Sequence, residues 1–172
     1  MKVLKLLVII LTIVLIIPQK IYALEDKDVQ ISIVTLTVPP SCRLVINNPD
    51  ISRATDNGSF EAGYIEFDTG SPTLKVWSNN NWKLSARSTG FTGPYDKPAG
   101  DLMLKDLAPI HVTNSFNTYK SLSGIDQEVA SYNKGVKSET HPCQYKILLD
   151  WTKDIPGTYS ATVTYTLTTN AS

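Results

Sequence analysis

Two cysteines, Cys42 and Cys143, carry the plainest chemistry in the chain. In an exported protein they are expected to pair as a disulfide; two buried free thiols are the other reading. The bridge would span 101 positions. On the chain-entropy model, closing so long a loop stabilises by about 4 to 5 kcal/mol. With two cysteines, His111 and His141 lack the compact spacing that holds zinc. Both histidines read as loop residues, and no serine sits in the glycine-flanked, strained turn that would expose a nucleophile. Asp50, Asp56 and Glu61 share a polar stretch with Asn57. Three carboxylates in one loop could gather a calcium ion, yet their spacing fits no EF-hand, and a solvated loop is the simpler reading. Asn57-Gly58-Ser59 and Asn170-Ala171-Ser172 have the form of glycosylation sequons. The expectation is a non-enzymatic protein with no metal and no cofactor.

The elements that must position these residues read as strands. Between Thr158 and Thr168, Tyr159, Ala161, Val163, Tyr165 and Leu167 alternate with serine and threonine. That is the period of two of a half-buried antiparallel strand, opened by the turn pair Pro156-Gly157. Upstream, Tyr145, Ile147, Leu149 and Trp151 alternate into a second late strand, and Gly135 to Pro142 read as loop. Cys42 to Ile46, Tyr64 to Asp68 and the pair Leu102 and Leu104 mark three more. Gln127 to Ser131 form a weak one, and Ile110 with Val112 suggest another. Thr73 to Ser78 and Asn81 to Arg87 look like a hairpin around Asn79-Asn80-Asn81.

The first strand is expected at Val29 to Val38. Val29, Ile31 and Ile33 share one face; Val34, Leu36 and Val38 share the other; Pro39-Pro40 ends it. No stretch after Ala23 has helical periodicity. Eight to ten short strands with frequent turns predict an all-β fold, an immunoglobulin-like two-sheet antiparallel β-sandwich. The cysteine separation is too long for the inter-sheet bridge of a true immunoglobulin domain. Trp82, Trp151, Tyr159 and Tyr165 fall on apolar faces and are expected in the core. Trp77 points the other way, beside three asparagines, where it could stack on a sugar ring or join an interface. Asp154 and Tyr159 flank the last turn, where a tyrosine-corner contact would fit.

Lys2 and Lys5 precede an apolar run, Leu6 to Ile17, that is too short to cross a bilayer. Ile21-Tyr22-Ala23 follows, and residues 1–23 are expected to be a signal peptide, with a single domain at 24–172. Retention of the segment as an anchor is the alternative. Removing residues 1–23 and their three lysines leaves 13 basic and 16 acidic side chains, a net charge of −3. That balance argues against nucleic acid and against anionic membrane surfaces as partners.

Trp82-Lys83-Leu84 and the terminal spacing of Tyr159 with Val163-Thr164-Tyr165-Thr166-Leu167 resemble the paired motifs of the WxL family of bacterial surface proteins. Tyr165 and Val163 stand where that family has tryptophan and leucine. The resemblance implies a secreted, cell-surface protein that associates non-covalently with wall polymer or another surface protein. Trp77, Trp82, Leu84, Tyr159 and Tyr165 are then the candidate binding residues. Val34 to Cys42 and Pro156-Gly157-Thr158-Tyr159 also resemble the spore coat U and pilin-like group of secreted sandwiches, although the cysteine separation departs from the short pilin loop. That second resemblance implies a structural pilus or coat subunit that self-assembles by exchanging the strand at 29–38. A carbohydrate-binding or adhesion module centred on Trp77 is the third expectation.

Overall fold

The computed structural model describes residues 32–68 and 71–169. The expected signal segment, residues 1–23, lies outside them. The chain divides into a unit Met1–Thr37 and a unit Val38–Ser172. Within the second unit the fold is all-β, in two antiparallel sheets.

The first sheet is organised on one long strand, β9 (Val136–Leu148). Along one edge of it lie β2 (Tyr64–Phe67) and β3 (Thr73–Ser78), end to end; β5 (Leu102–Asp106) pairs with the other edge. Outside β3 sits β1 (Cys42–Asn47), and outside β5 sits the two-residue β7 (Lys120–Ser121). In the second sheet the order is β10 (Ser160–Thr169), β4 (Trp82–Thr92), β8 (Gln127–Tyr132) and β6 (Thr113–Asn114). One core joins both sheets. Leu74, Val76, Leu104 and Tyr145 enter it from the first, Trp82, Leu84 and Val129 from the second.

Alternation places these side chains, but it does not say which sheet a strand joins. Thr73–Ser78 and Trp82–Thr92 are not a hairpin. β3 pairs with β1 and β9, β4 with β10 and β8, so the Asn79–Asn81 turn carries the chain from one sheet to the other. Leu74 and Val76 then face Trp82, Leu84 and Ala86 across the core instead of beside them.

Several expectations change. The run 135–142 is mostly strand, because β9 begins at Val136. His141 thereby becomes a fully buried core residue. Ile110 is fully exposed in a turn, whereas Val112 is buried. The polar stretch around Asn57, expected as a loop, instead holds a six-residue helix, α1 (Asn57–Ala62). Asp56 caps it, its Oδ1 accepting the Ser59 N–H at 2.8 Å and the Ser59 hydroxyl at 2.7 Å. These bonds hold the Asp56 carboxyl below its ordinary range, the side-chain bond contributing most. Trp151 leaves the core, since β9 stops at Leu148 and the chain turns at Asp150; the indole is exposed, tilted against Phe60 at 4.7 Å.

The disulfide does not form: both cysteines are free, Cys42 exposed and Cys143 buried. Topology is the reason. Cys42 opposes Ser78 at one end of β3, while Cys143 donates its N–H to the Pro72 carbonyl just past the other end. Six steps of strand, from Pro72 to Ser78, at about 3.3 Å each hold them about 20 Å apart along β3, beyond the roughly 7 Å that a bridge tolerates.

The strand expected at Val29–Val38 is also absent over residues 32–38, and residues 29–31 lie outside the described chain. Residues 32–40 adopt no regular structure. Their apolar side chains face solvent: Ile33 is 86% exposed, Val34 89% and Leu36 83%.

Candidate functional site

Two long strands lack a neighbour on one side among the described residues. β1 pairs with β3 alone, and β10 with β4 alone. They are the end strands of different sheets, and they approach each other where Cys42 Sγ lies 3.8 Å from the Leu167 carbonyl oxygen. The margin between them, called the slot below, is where the inward side chains of both strands are least covered.

Burial marks the opening. Leu84, Ala86 and Ser88 on β4 are fully buried. Their partners across the ladder, Leu167, Tyr165 and Val163, face the same core and are only half-buried. On the other wall, Leu44 is half-buried and Ile46 and Cys42 are exposed, although Val76 and Leu74, opposite Leu44 and Ile46, have no exposure at all. The inward rows of both end strands thus lack the cover that their neighbours enjoy. An edge of ten residues with an apolar inward row is the kind of strand that pairs with another chain unless something blocks it.

Tyr165 reaches across to β9, where its hydroxyl lies 2.6 Å from the Tyr145 hydroxyl, next to Cys143. Burial raises both phenols above their ordinary range and pushes the Cys143 thiol up to about 12. Cys143 is therefore a protonated core residue. Cys42, at the mouth, is open to solvent.

The candidate binding residues separate. Trp82 and Leu84 are buried and present nothing to a surface ligand. They are nevertheless tied to the terminal strand: Leu84 opposes Leu167 and Trp82 opposes Thr169. The two motifs are thus cross-strand neighbours in one core, and they specify architecture. Tyr165 lines the slot. Tyr159 is half-buried, and its hydroxyl donates to the Ile155 carbonyl at 2.9 Å. That is a corner contact with a backbone partner in place of Asp154. Trp77 lies on the outer face of β3, half-covered by the Arg43 guanidinium 5.2 Å above its ring.

Sequence reading missed Val163, Leu167, Leu44 and Ile46 as slot residues. Alternation shows that they face a core, and only the topology shows that the core is uncovered there. It also missed a buried pair, His141 Nδ1 and Asp106 Oδ2 at 2.9 Å. The Trp82 ring meets the imidazole edge-on at 5.5 Å. The pair has the contact of a catalytic dyad, but both side chains are sealed from solvent, and it serves as a polar contact between β5 and β9.

Compared with known proteins, the chain matches no family model and no curated protein.

Proposed function

We propose that this chain is a non-enzymatic structural subunit, exported by its N-terminal segment, that assembles with further copies of itself by strand exchange. Residues 29–38 of one copy would lie along β10 in the slot of the next and complete an immunoglobulin-like two-sheet sandwich. One observation carries the reading. The chain has an exposed, alternating apolar segment at 32–38 and, in its folded unit, a half-covered apolar row on a strand, β10, whose second edge has no partner strand among the described residues. Each supplies what the other lacks. The donor brings alternate apolar side chains, and the acceptor brings free main-chain groups and a half-exposed inward row. Wall association through the paired motifs has less support, since Trp82 and Leu84 belong to the core.

The test is the size of the chain lacking residues 1–23. Sedimentation at rising concentration should show open-ended oligomers, and further deletion of residues 24–38 should leave a folded monomer. Monomers at every concentration, or oligomers that survive the deletion unchanged, would refute the reading.

A further inference from the structure

Away from the slot, the densest unassigned chemistry lies where the segment after β4 meets the β9–β10 turn. The Lys97 side chain is 5% exposed, as is that of Asp154. Lys97 Nζ lies 2.7 Å from Asp154 Oδ1 and 2.6 Å from Oδ2, and it donates to the Leu148 carbonyl at 2.7 Å. Asp154 Oδ2 also accepts the Asp150 N–H at 2.8 Å. A second carboxylate, Asp101 Oδ2, stands 3.9 Å from the same Nζ.

The backbone is shaped to put the lysine there. Phe91 and Lys97 exchange main-chain hydrogen bonds at 2.9 and 3.3 Å. Gly90, at φ +81°, lets the strand pass so close that a Cβ there would meet the Lys97 carbonyl oxygen at 3.0 Å. An amine, a carboxyl carbon, a donor on the carboxyl oxygen and a neighbouring carboxylate are the four parts that amide formation needs.

We propose that Lys97 and Asp154 join in an intramolecular isopeptide bond that the folded chain forms by itself. Asp101 takes a proton from the Lys97 ammonium and frees the amine. A rotation of the Asp154 carboxyl about its Cβ–Cγ bond turns the carbon's face to Nζ, and the Nζ–Cγ bond forms. The Asp150 N–H stabilises the charge that collects on Oδ2 in the tetrahedral intermediate. Asp101 returns its proton to Oδ1, the nitrogen passes a second proton to the same Oδ1, and the Cγ–Oδ1 bond breaks to release water. Ammonium and carboxylate are consumed, amide and water are produced, and no oxidant, activated group or cofactor takes part.

Two physical terms favour the product. Holding the groups in contact gives an effective concentration on the order of 10⁵ to 10⁸ M, against the water that opposes condensation. The amide also replaces two buried charges and removes their desolvation cost. The bond would fasten the 97–101 segment to the turn that leads into β10, and it does not depend on strand exchange.

Intact-mass spectrometry of the purified folded protein tests it. The expected mass is that of the sequence less one water, with a branched peptide joining Lys97 to Asp154 after digestion; the branched peptide separates this bond from water lost elsewhere. Asp154→Ala should restore the lost mass. Asp101→Asn, at a side chain 31% exposed, should leave the protein folded and the bond unformed or greatly slowed. Full sequence mass after prolonged incubation of the folded protein, with an unbranched peptide containing Lys97, would overturn the proposal and leave an ordinary buried ion pair.

Discussion

Leu36→Asp separates assembly from folding. Leu36 is 83% exposed and lies outside the folded unit Val38–Ser172. In the exchanged state the side chain enters an apolar slot, where a leucine contributes about 2 to 3 kcal/mol. Aspartate forfeits that and adds the cost of bringing a carboxylate out of water, so the loss is at least about 4 kcal/mol. At about 1.4 kcal/mol per tenfold, the assembly constant falls roughly a thousandfold or more. Leu36→Ala removes about three carbons' worth of burial, about 2 kcal/mol, or roughly thirtyfold. Sedimentation velocity of the chain lacking residues 1–23 reads the first quantity, and thermal melting by circular dichroism reads the second. The variants should rank wild type, Ala, Asp in assembly while Tm stays within a few degrees. Assembly of Leu36→Asp at wild-type strength would refute the reasoning. So would a large drop in Tm, which would place Leu36 inside its own fold.

The thiols, the tryptophans and the carboxyl of Asp150 give further checks. A thiol reagent at neutral pH should modify Cys42 alone in the folded monomer and both cysteines in denaturant, because burial pushes Cys143 up to about 12. No reactive thiol in either condition would mean that the two are bridged. Trp82→Ala should cost about 3 to 5 kcal/mol in denaturant unfolding, whereas Trp77→Ala should cost about 1 kcal/mol or less; the reverse order would undo their placement. Hydrogen bonds from the Thr152 hydroxyl and N–H, aided by Lys153, hold the exposed Asp150 carboxyl down to about 2 from an ordinary 3.8. Its folded value lies below its unfolded one, so its contribution is full above about pH 4 and fades as pH falls toward about 2. A carboxyl titration by NMR should show that value, and Thr152→Ala should move it back toward 3.8.

The terminal strand was legible because five inward residues at strict period two leave one answer for which face is buried. β9 was only half legible. His141, Cys143, Tyr145 and Ile147 share one parity, and following it backward would have extended the strand through Pro142 and found the buried histidine. Parity failed at Trp151 for the opposite reason, since the pattern runs on past the last paired residue at Leu148. Which strands become neighbours was not legible. The hairpin expected at Asn79–Asn81 and the bridge between Cys42 and Cys143 both assumed adjacency that the sheet order denies. Lys97 and Asp154 meet across 57 positions with no local pattern to announce them. The alternation at 32–38 is real, yet those residues take no strand form. That mismatch between a strand-like sequence and its exposed state is what motivates the proposal of exchange.

Hydrogen exchange on assembled and monomeric protein tests strand exchange most directly. The account predicts that amides of residues 29–38 and the outer-edge amides of β10 become protected together on assembly, with the same dependence on concentration. Assembled protein in which both segments exchange as fast as in the monomer would contradict it.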